Sequence, residues 1–213
     1  MNNKSPYKVT QDFESALAEY TGARYAVALN SGSAALLLSI LWCSENIIEH
    51  KSRQILGYSF TVEIPRRTYV SVPCAIKLAG GGVRWRDERW GGVYQLKPLP
   101  VWDCARRFTS GMYIAGQFQC VSFATAKILG AEQGGAILHD CDEADSWFRR
   151  MRFDGRTEGV DPKEDTFDLI GHHVIMLPST AAELILKLYH LPKTNEDLPY
   201  YHYPDLSVHP AFK

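Results

Sequence analysis

The chain has 213 residues, 46% hydrophobic and 12% aromatic, enough for one domain with a sizeable core and at most a small appendage. A formal net charge of −1 gives no electrostatic footing for a nucleic-acid or anionic-membrane partner. The five cysteines show neither CxxC nor Cys/His metal spacing, MNNKSPYKVT lacks an apolar signal core, and no apolar run reaches membrane-span length. A reduced, cytoplasmic protein without a metal site is therefore expected.

Taken in chain order, Thr10 to Tyr20 reads as a helix, with Phe13, Leu17 and Tyr20 on one face, Thr10 as its cap and Gly22 as its stop. RYAVAL follows as a buried strand, and NSGSAALLLSILW as a tight turn entering an apolar helix. Strand, glycine turn and helix in that order is the α/β signature. Gln54 to Ile64 is a further strand stopped by Pro65, and Val70 to Leu78 a helix that tolerates Pro73 in its first turn. GGVRWRD, LPVWD and FQCVSF are short strand candidates, and AIL after Gly134-Gly135 is another.

Asp142 to Arg152 has the pattern of an amphipathic helix, and residues 155–168 that of a polar loop. Thr180 to Leu188 reads as a helix started by Ser179 or Thr180. From residue 191 the chain is rich in Pro and Tyr, as expected of an irregular tail draped over the surface or over a partner. The domain division implied is 1–190 and 191–213. The basic clusters Arg66-Arg67, Arg106-Arg107 and Arg149-Arg150-Met151-Arg152 have acids nearby and read as solvated faces.

Four features carry chemistry. The turn NSGSAALL presents unpaired N–H groups and a positive helix end, which suit a phosphate held by Ser31, Ser33 and the amide of Ala34. Asp103 ends a short apolar strand, where open α/β sheets bind ligands, and can keep a pyridine nitrogen protonated. Tyr69, after a strand and a proline, can cover a flat ring. In VSFATAK, Ser122 can hold a phosphate oxygen while Lys127, partly desolvated, becomes a nucleophile toward an aldehyde. Each feature alone has a plain structural explanation: a helix cap, a capping Asp, a packing Tyr, a loop Lys. His172-His173 has no third ligand at metal spacing and reads as packing or phosphate contact.

Together the four resemble the sugar aminotransferase family named after DegT, DnrJ, EryC1 and StrS. The similarity runs through FESALAEYTGARYAVALNSGSAAL, PRRTYVSVPCAIKLAGG, VWDCARRF, SFATAK, GGAIL, FRRMRFDGR and GHHVIMLPSTAAELILKL. The resemblance implies a fold type I large domain that uses pyridoxal 5'-phosphate (PLP), an α/β three-layer sandwich on a mostly parallel mixed sheet. It implies that Lys127 forms the Schiff base and shuttles protons, Asp103 pairs with the ring nitrogen and Tyr69 stacks on the ring. Ser33, Ala34 and Ser122 would bind the phosphate, and His173, aligned with the family's Asn, would reach the phosphate of a neighbouring subunit.

The implied reaction moves an amino group from glutamate or glutamine to a keto group of a nucleotide-linked sugar, as in polysaccharide biosynthesis, in a homodimer with shared sites. Retention of Lys127 favours transamination over the dehydration carried out by relatives with histidine there. Arg106 stands where the family has Gln or His, Gln133 where it has Glu, and His173 and Ile175 where it has Asn and Arg. Arg66, Arg67, Arg106 or Arg156 would bind a carboxylate or pyrophosphate. Between Asp87 and Asp103 the chain is shorter than the family pattern, which inserts a β-α-β passage there, and the usual C-terminal small domain is reduced to the tail. A non-catalytic scaffold that binds a nucleotide-sugar or a partner protein is the alternative reading.

Overall fold

The structure, a computed structural model, describes residues 7–46 and 60–212. Part of the predicted strand over residues 54–64 therefore lies outside the described residues. Helix α1 (Lys8–Thr21) leads to strand β1 (Tyr25–Leu29), and α2 (Gly32–Asn46) follows directly. Then come β2 (Thr61–Pro65), α3 (Ser71–Leu78), β3 (Gly82–Arg86), β4 (Tyr94–Leu96) and β5 (Val101–Asp103). Strands β6 (Phe118–Ser122) and β7 (Gly135–His139) and helices α4 (Asp142–Met151) and α5 (Pro178–His190) complete the main body.

The strands form a mixed sheet. Five are ordered β1-β7-β6-β5-β4, and β2-β3 is a parallel pair joined to β4 through a bridge between Glu63 and Lys97. Strands β5 and β6 are parallel, whereas β7 is antiparallel to both its neighbours and β4 antiparallel to β5 and to β2. Five strands thus share one direction, and β7 and β4 oppose it.

Period-2 alternation divides the core into two layers. Val27, Leu29, Cys120 and Ile137 face α2, α3 and α4, while Ala26, Ala28, Val121, Ala136 and Leu138 face α1 and α5. The alanines on the second face let α1 lie close to the sheet, where Phe13 and Leu17 are fully buried. Each of those side chains contributes about 1.5–3 kcal/mol by leaving water. The result is helix, sheet and helix: three layers.

Some element ends differ from the sequence reading. Thr10 lies inside α1, buried, and Tyr7 occupies the cap position, because the apolar face of α1 starts a turn earlier. Gly22 ends α1 in the left-handed conformation, φ 79°, and its N–H bonds back to Ala18. Helix α5 starts at Pro178 rather than at Ser179 or Thr180: proline's fixed φ suits the first helical position, where its missing N–H costs nothing. Strand β4 lies in a stretch to which the sequence reading assigns no element.

Beyond α5 the chain is irregular apart from two 3-10 turns, Leu206–Val208 and Pro210–Phe212. No helix among the described residues is long and apolar enough to cross a membrane. All five cysteines are free.

Candidate active site

Strands β1, β2, β5 and β6 share one direction, so their C-terminal ends open on the same edge of the sheet, where α/β folds bind ligands. The four predicted chemical segments follow these four ends: Asn30–Ala34 after β1, Arg66–Tyr69 after β2, Asp103–Arg106 after β5, and Ser122–Lys127 from the end of β6. That common origin brings them together.

The turn after β1 is built by close packing. A Cβ on Gly135 would lie 2.4 Å from the backbone of Ser31 and Gly32, and one on Gly32 would lie 2.8 Å from Ser122 Cβ. Only glycine at both positions lets the start of β7, the end of β6 and the start of α2 meet. Ser31 caps the helix, its Oγ accepting from Ala34 N at 3.1 Å, while its carbonyl takes Ala35 N at 3.2 Å. Ser33 lies beside the N–H groups of the first turn, and Ser122 Oγ faces the same turn across Gly32. Two hydroxyls and a helix N-terminus thus lie on one side of this turn, a chemistry suited to an oxyanion.

Phe123, fully buried, anchors the loop that follows β6: its N–H bonds to Gly134 O and its carbonyl accepts from Ala131 N. Lys127 sits within that closed loop, its own N–H bonded to Ala124 O. Burial, with Arg106 adding to it, pulls the Lys127 ammonium below the usual lysine range, and the Asp103 carboxylate opposes the shift. Asp103 is buried, which raises its carboxyl pKa, while the Ala105 N–H, the Tyr94 hydroxyl, Lys127 and Arg106 all pull it down. Lysine and aspartate thus feel each other's charge. An open groove of about 500 Å3 behind the lysine loop, lined by Lys127, Ile128, Leu186 and His190 among others, contains neither Asp103 nor the serines.

Tyr69 is 57% exposed and meets Tyr203 edge-on, with ring centroids 6.3 Å apart. Tyr203 stacks on Trp90 at 6.1 Å and 8°, and Trp90 packs on Tyr94 at 4.6 Å. The Tyr203 phenol is pushed up by burial and feels both Arg106 and Asp103. A tail residue therefore sits in the aromatic box beside the buried carboxylate. Sequence reasoning missed Thr68, Trp90 and Tyr94; the alternation in VYQL was the one available signal for Tyr94.

The tail is fastened across this edge by specific bonds. Arg107 makes a two-pronged pair with Asp197 at 2.8 and 2.6 Å, and Gly92 has φ 67° and no Cβ because the Asp197 carboxylate fills that space. Arg106 donates to the Pro199 carbonyl and lies over the Tyr201 ring at 5.9 Å. Asp205 faces Arg66 and Arg67, and Leu206 N bonds to Arg66 O. Arg66, Arg67 and Arg106 are thus occupied by the tail. His173, by contrast, is exposed and bonds Asp154 at 2.7 Å through Nδ1. Within one chain it is turned to that carboxylate.

The fold is one shared with solved aminotransferase structures. AtS13 from Actinomadura melliaura superposes with a TM-score of 0.73 at 18% identity, over 88% of this chain and 61% of its own. PseC of Helicobacter pylori, an aminotransferase involved in the biosynthesis of pseudoaminic acid, gives 0.69 at 16%, over 88% and 59%. The sugar aminotransferase CalS13 from Micromonospora echinospora gives 0.67 at 15%, over 86% and 61%. This chain therefore spans about three-fifths of the length of these structures.

The sequence pattern of the DegT/DnrJ/EryC1/StrS aminotransferase family matches residues 2–61, the segment that carries α1, β1, α2 and the serine turn. The resemblance read from the sequence stands, in that segment by pattern and over most of the chain by fold. No curated protein matches the chain.

Proposed function

We propose that the chain is a PLP-dependent aminotransferase acting on a keto sugar. The observation that carries this reading is the meeting of a buried carboxylate and a partly desolvated lysine, mutually in electrostatic reach, at the edge that also bears the serine cradle. The residues present fit the cofactor. Ser33, Ser122 and the Ala34 N–H, once released from the Ser31 hydroxyl, would hold its phosphate, Asp103 its ring nitrogen, Tyr69 its face and Lys127 its aldehyde. When bound, PLP supplies an electron sink that makes the α-proton of an amino donor acidic.

The protein's own groups do the rest. Asp103, ionised beside a cationic ring, keeps a proton on the ring nitrogen; the raised affinity that burial gives this carboxyl is offset by the positive charge it faces. Lys127 Nζ, with its ammonium disfavoured by burial, is available as the nucleophile that binds the aldehyde and then as the base at the substrate carbon. Arg106 stands by the same pocket and would meet an anionic group once released from the tail carbonyl.

The finer reading takes glutamate or glutamine as donor and a nucleotide-linked keto sugar as acceptor, in a cytoplasmic homodimer where His173 reaches the partner's phosphate. The exposure of His173 beside Ile170, itself 94% exposed, supports a surface meant for a second copy. The division into a cofactor-binding body, 1–190, and a covering tail, 191–213, belongs to the same reading. A second reading, a non-catalytic scaffold, is favoured by one observation: Tyr203 fills part of the aromatic box.

Borohydride reduction of protein mixed with PLP, followed by peptide mass spectrometry, separates the two. The enzyme is yellow and carries a pyridoxyl group on Lys127, and adding glutamate yields 2-oxoglutarate. Protein that stays colourless and unlabelled, or labelled only on surface lysines, is the scaffold.

A further inference from the structure

Asp103 has a neighbour on the next strand that neither its motif nor the cofactor accounts for. Strand β4 pairs antiparallel with β5 so that Tyr94 is the register partner of Asp103, which puts the two side chains on the same face of the sheet. Both are buried, and Thr68, fully buried at the end of the β2 segment, lies 2.5 Å from the Tyr94 hydroxyl. A carboxylate can only accept, so the Tyr94 hydroxyl set opposite it by the register is suited to donate to Asp103, with Thr68 then the donor to the Tyr94 oxygen. Asp103 Oδ1 also accepts from the Ala105 N–H at 2.9 Å.

We propose that Tyr94, backed by Thr68, is a positioning residue that holds the Asp103 carboxylate for the cofactor's ring nitrogen, a role that rests on the aminotransferase reading of Asp103. The chain of bonds runs Thr68 Oγ1 to Tyr94 Oη to Asp103, across three segments that meet at the sheet edge. An aspartate has two free χ angles; bonds from strand β4 on one side and from its own turn on the other leave it one orientation. The device depends on β4, the short strand that occupies the stretch between Asp87 and Asp103. Trp90 packs on the Tyr94 ring at 4.6 Å and donates its indole N–H to Arg67 O at 2.9 Å, so the tyrosine is wedged as well as bonded.

Other groups facing Asp103 are Lys127, Arg106 and the Tyr203 phenol, together with the thiols of Cys104 and Cys120. The thiols are protonated across the ordinary pH range, since burial raises both. Lys127 and Arg106 act on the carboxylate through charge, whereas Tyr94 also fixes its direction.

The test is the titration of the Asp103 carboxyl carbon, followed by NMR on aspartate-labelled chain without added cofactor. Tyr94→Phe keeps the ring and its contact with Trp90 but removes the donor; it is expected to move the Asp103 midpoint upward by about one pH unit. Thr68→Val is expected to shift it the same way by less, and Thr68→Ser to restore it. If Tyr94→Phe does not fold, as judged by circular dichroism, the Thr68→Val and Thr68→Ser pair carries the test alone. An unmoved midpoint in the folded variants overturns the proposal. Because no cofactor enters this measurement, its outcome is separate from cofactor uptake: a chain that never binds PLP sinks the aminotransferase reading and leaves the shift in place.

Discussion

Removing the Tyr203 ring should tighten PLP binding. A ring that pairs its nitrogen with Asp103 and lies under Tyr69 must enter the space where Tyr203 now stacks on Trp90 and feels both Asp103 and Arg106. Full burial of an aromatic side chain is worth about 1.5–3 kcal/mol, and each ring pair about 0.5–1.5 kcal/mol. Tyr203 is only part buried, so lifting it out takes about 2 kcal/mol. An incoming ring has to supply that amount. Tyr203→Ala removes the requirement, and the dissociation constant for PLP should fall by roughly 30-fold. Tyr203→Phe, which keeps the ring, should stay near wild type. The assay is absorbance titration of each protein with PLP, with Trp90 emission recorded in parallel as a report on the stack. Equal or weaker binding by Tyr203→Ala would refute the reasoning, because it would mean the tyrosine belongs to the bound site rather than competing with it.

Three further outcomes follow from the buried charges and the glycine packing. Burial raises the Asp103 carboxyl, so the folded chain holds that proton more tightly than the unfolded one. Asp103 therefore adds stability as pH falls through its raised value toward 3.8, and urea unfolding of Asp103→Asn should lack this acid-side gain while being more stable than wild type at pH 7. Glu14→Gln leaves Arg152 buried with a weakened partner and should cost about 3 kcal/mol in urea unfolding, with near-wild-type stability arguing against the buried pair. Gly135→Ala would put a methyl 2.4 Å from the Ser31–Gly32 backbone and should lower the melting temperature and abolish PLP uptake together. Uptake that survives in this variant would show that the turn can move without harm.

The sequence was readable where physics acts locally. Apolar spacing located α1 and α4, and unbroken apolar runs located α2 and the buried strands, because a half-covered helix leaves its period in the chain and a fully covered element leaves a continuous run. The placement of Lys127, Asp103, Ser33 and Ser122 near strand ends on one edge of the sheet was legible because each lies a short, fixed distance in sequence from an apolar run. What stayed hidden depends on distant partners. Strand β4 is three residues long and owes its existence to pairing with β5, and Tyr94 has no role until the register sets it opposite Asp103. The seat of Tyr203 is set by anchors more than a hundred residues away, among them Arg66, Arg67 and Trp90, and no window of sequence contains both halves. The ends of α1 and α5 moved because Thr10 and Ser179 are good caps in isolation, and packing and Pro178 overrode them.

The edge of the sheet next to the serine turn shows why a buried ion pair belongs in this fold at all. Strand β1 pairs on one side only, with β7, and its outer groups would be unsatisfied beneath α1. Glu14 Oε1 accepts from Ala28 N at 2.8 Å, and Arg152, 2% exposed, donates to Ala28 O at 2.8 Å while pairing with Glu14. One residue on, Asn30 N bonds to Val174 O at 2.9 Å, and Leu29 bridges Ile175. The pair thus stands in for a neighbouring strand at the last residues before Ser31. Two apolar side chains of equal volume would fill the space but leave the Ala28 N–H and C=O unpaired, costing about 1–3 kcal/mol for each. Charge is retained here because the backbone beside it needs both a donor and an acceptor, and the register those bonds enforce decides where the serine turn points.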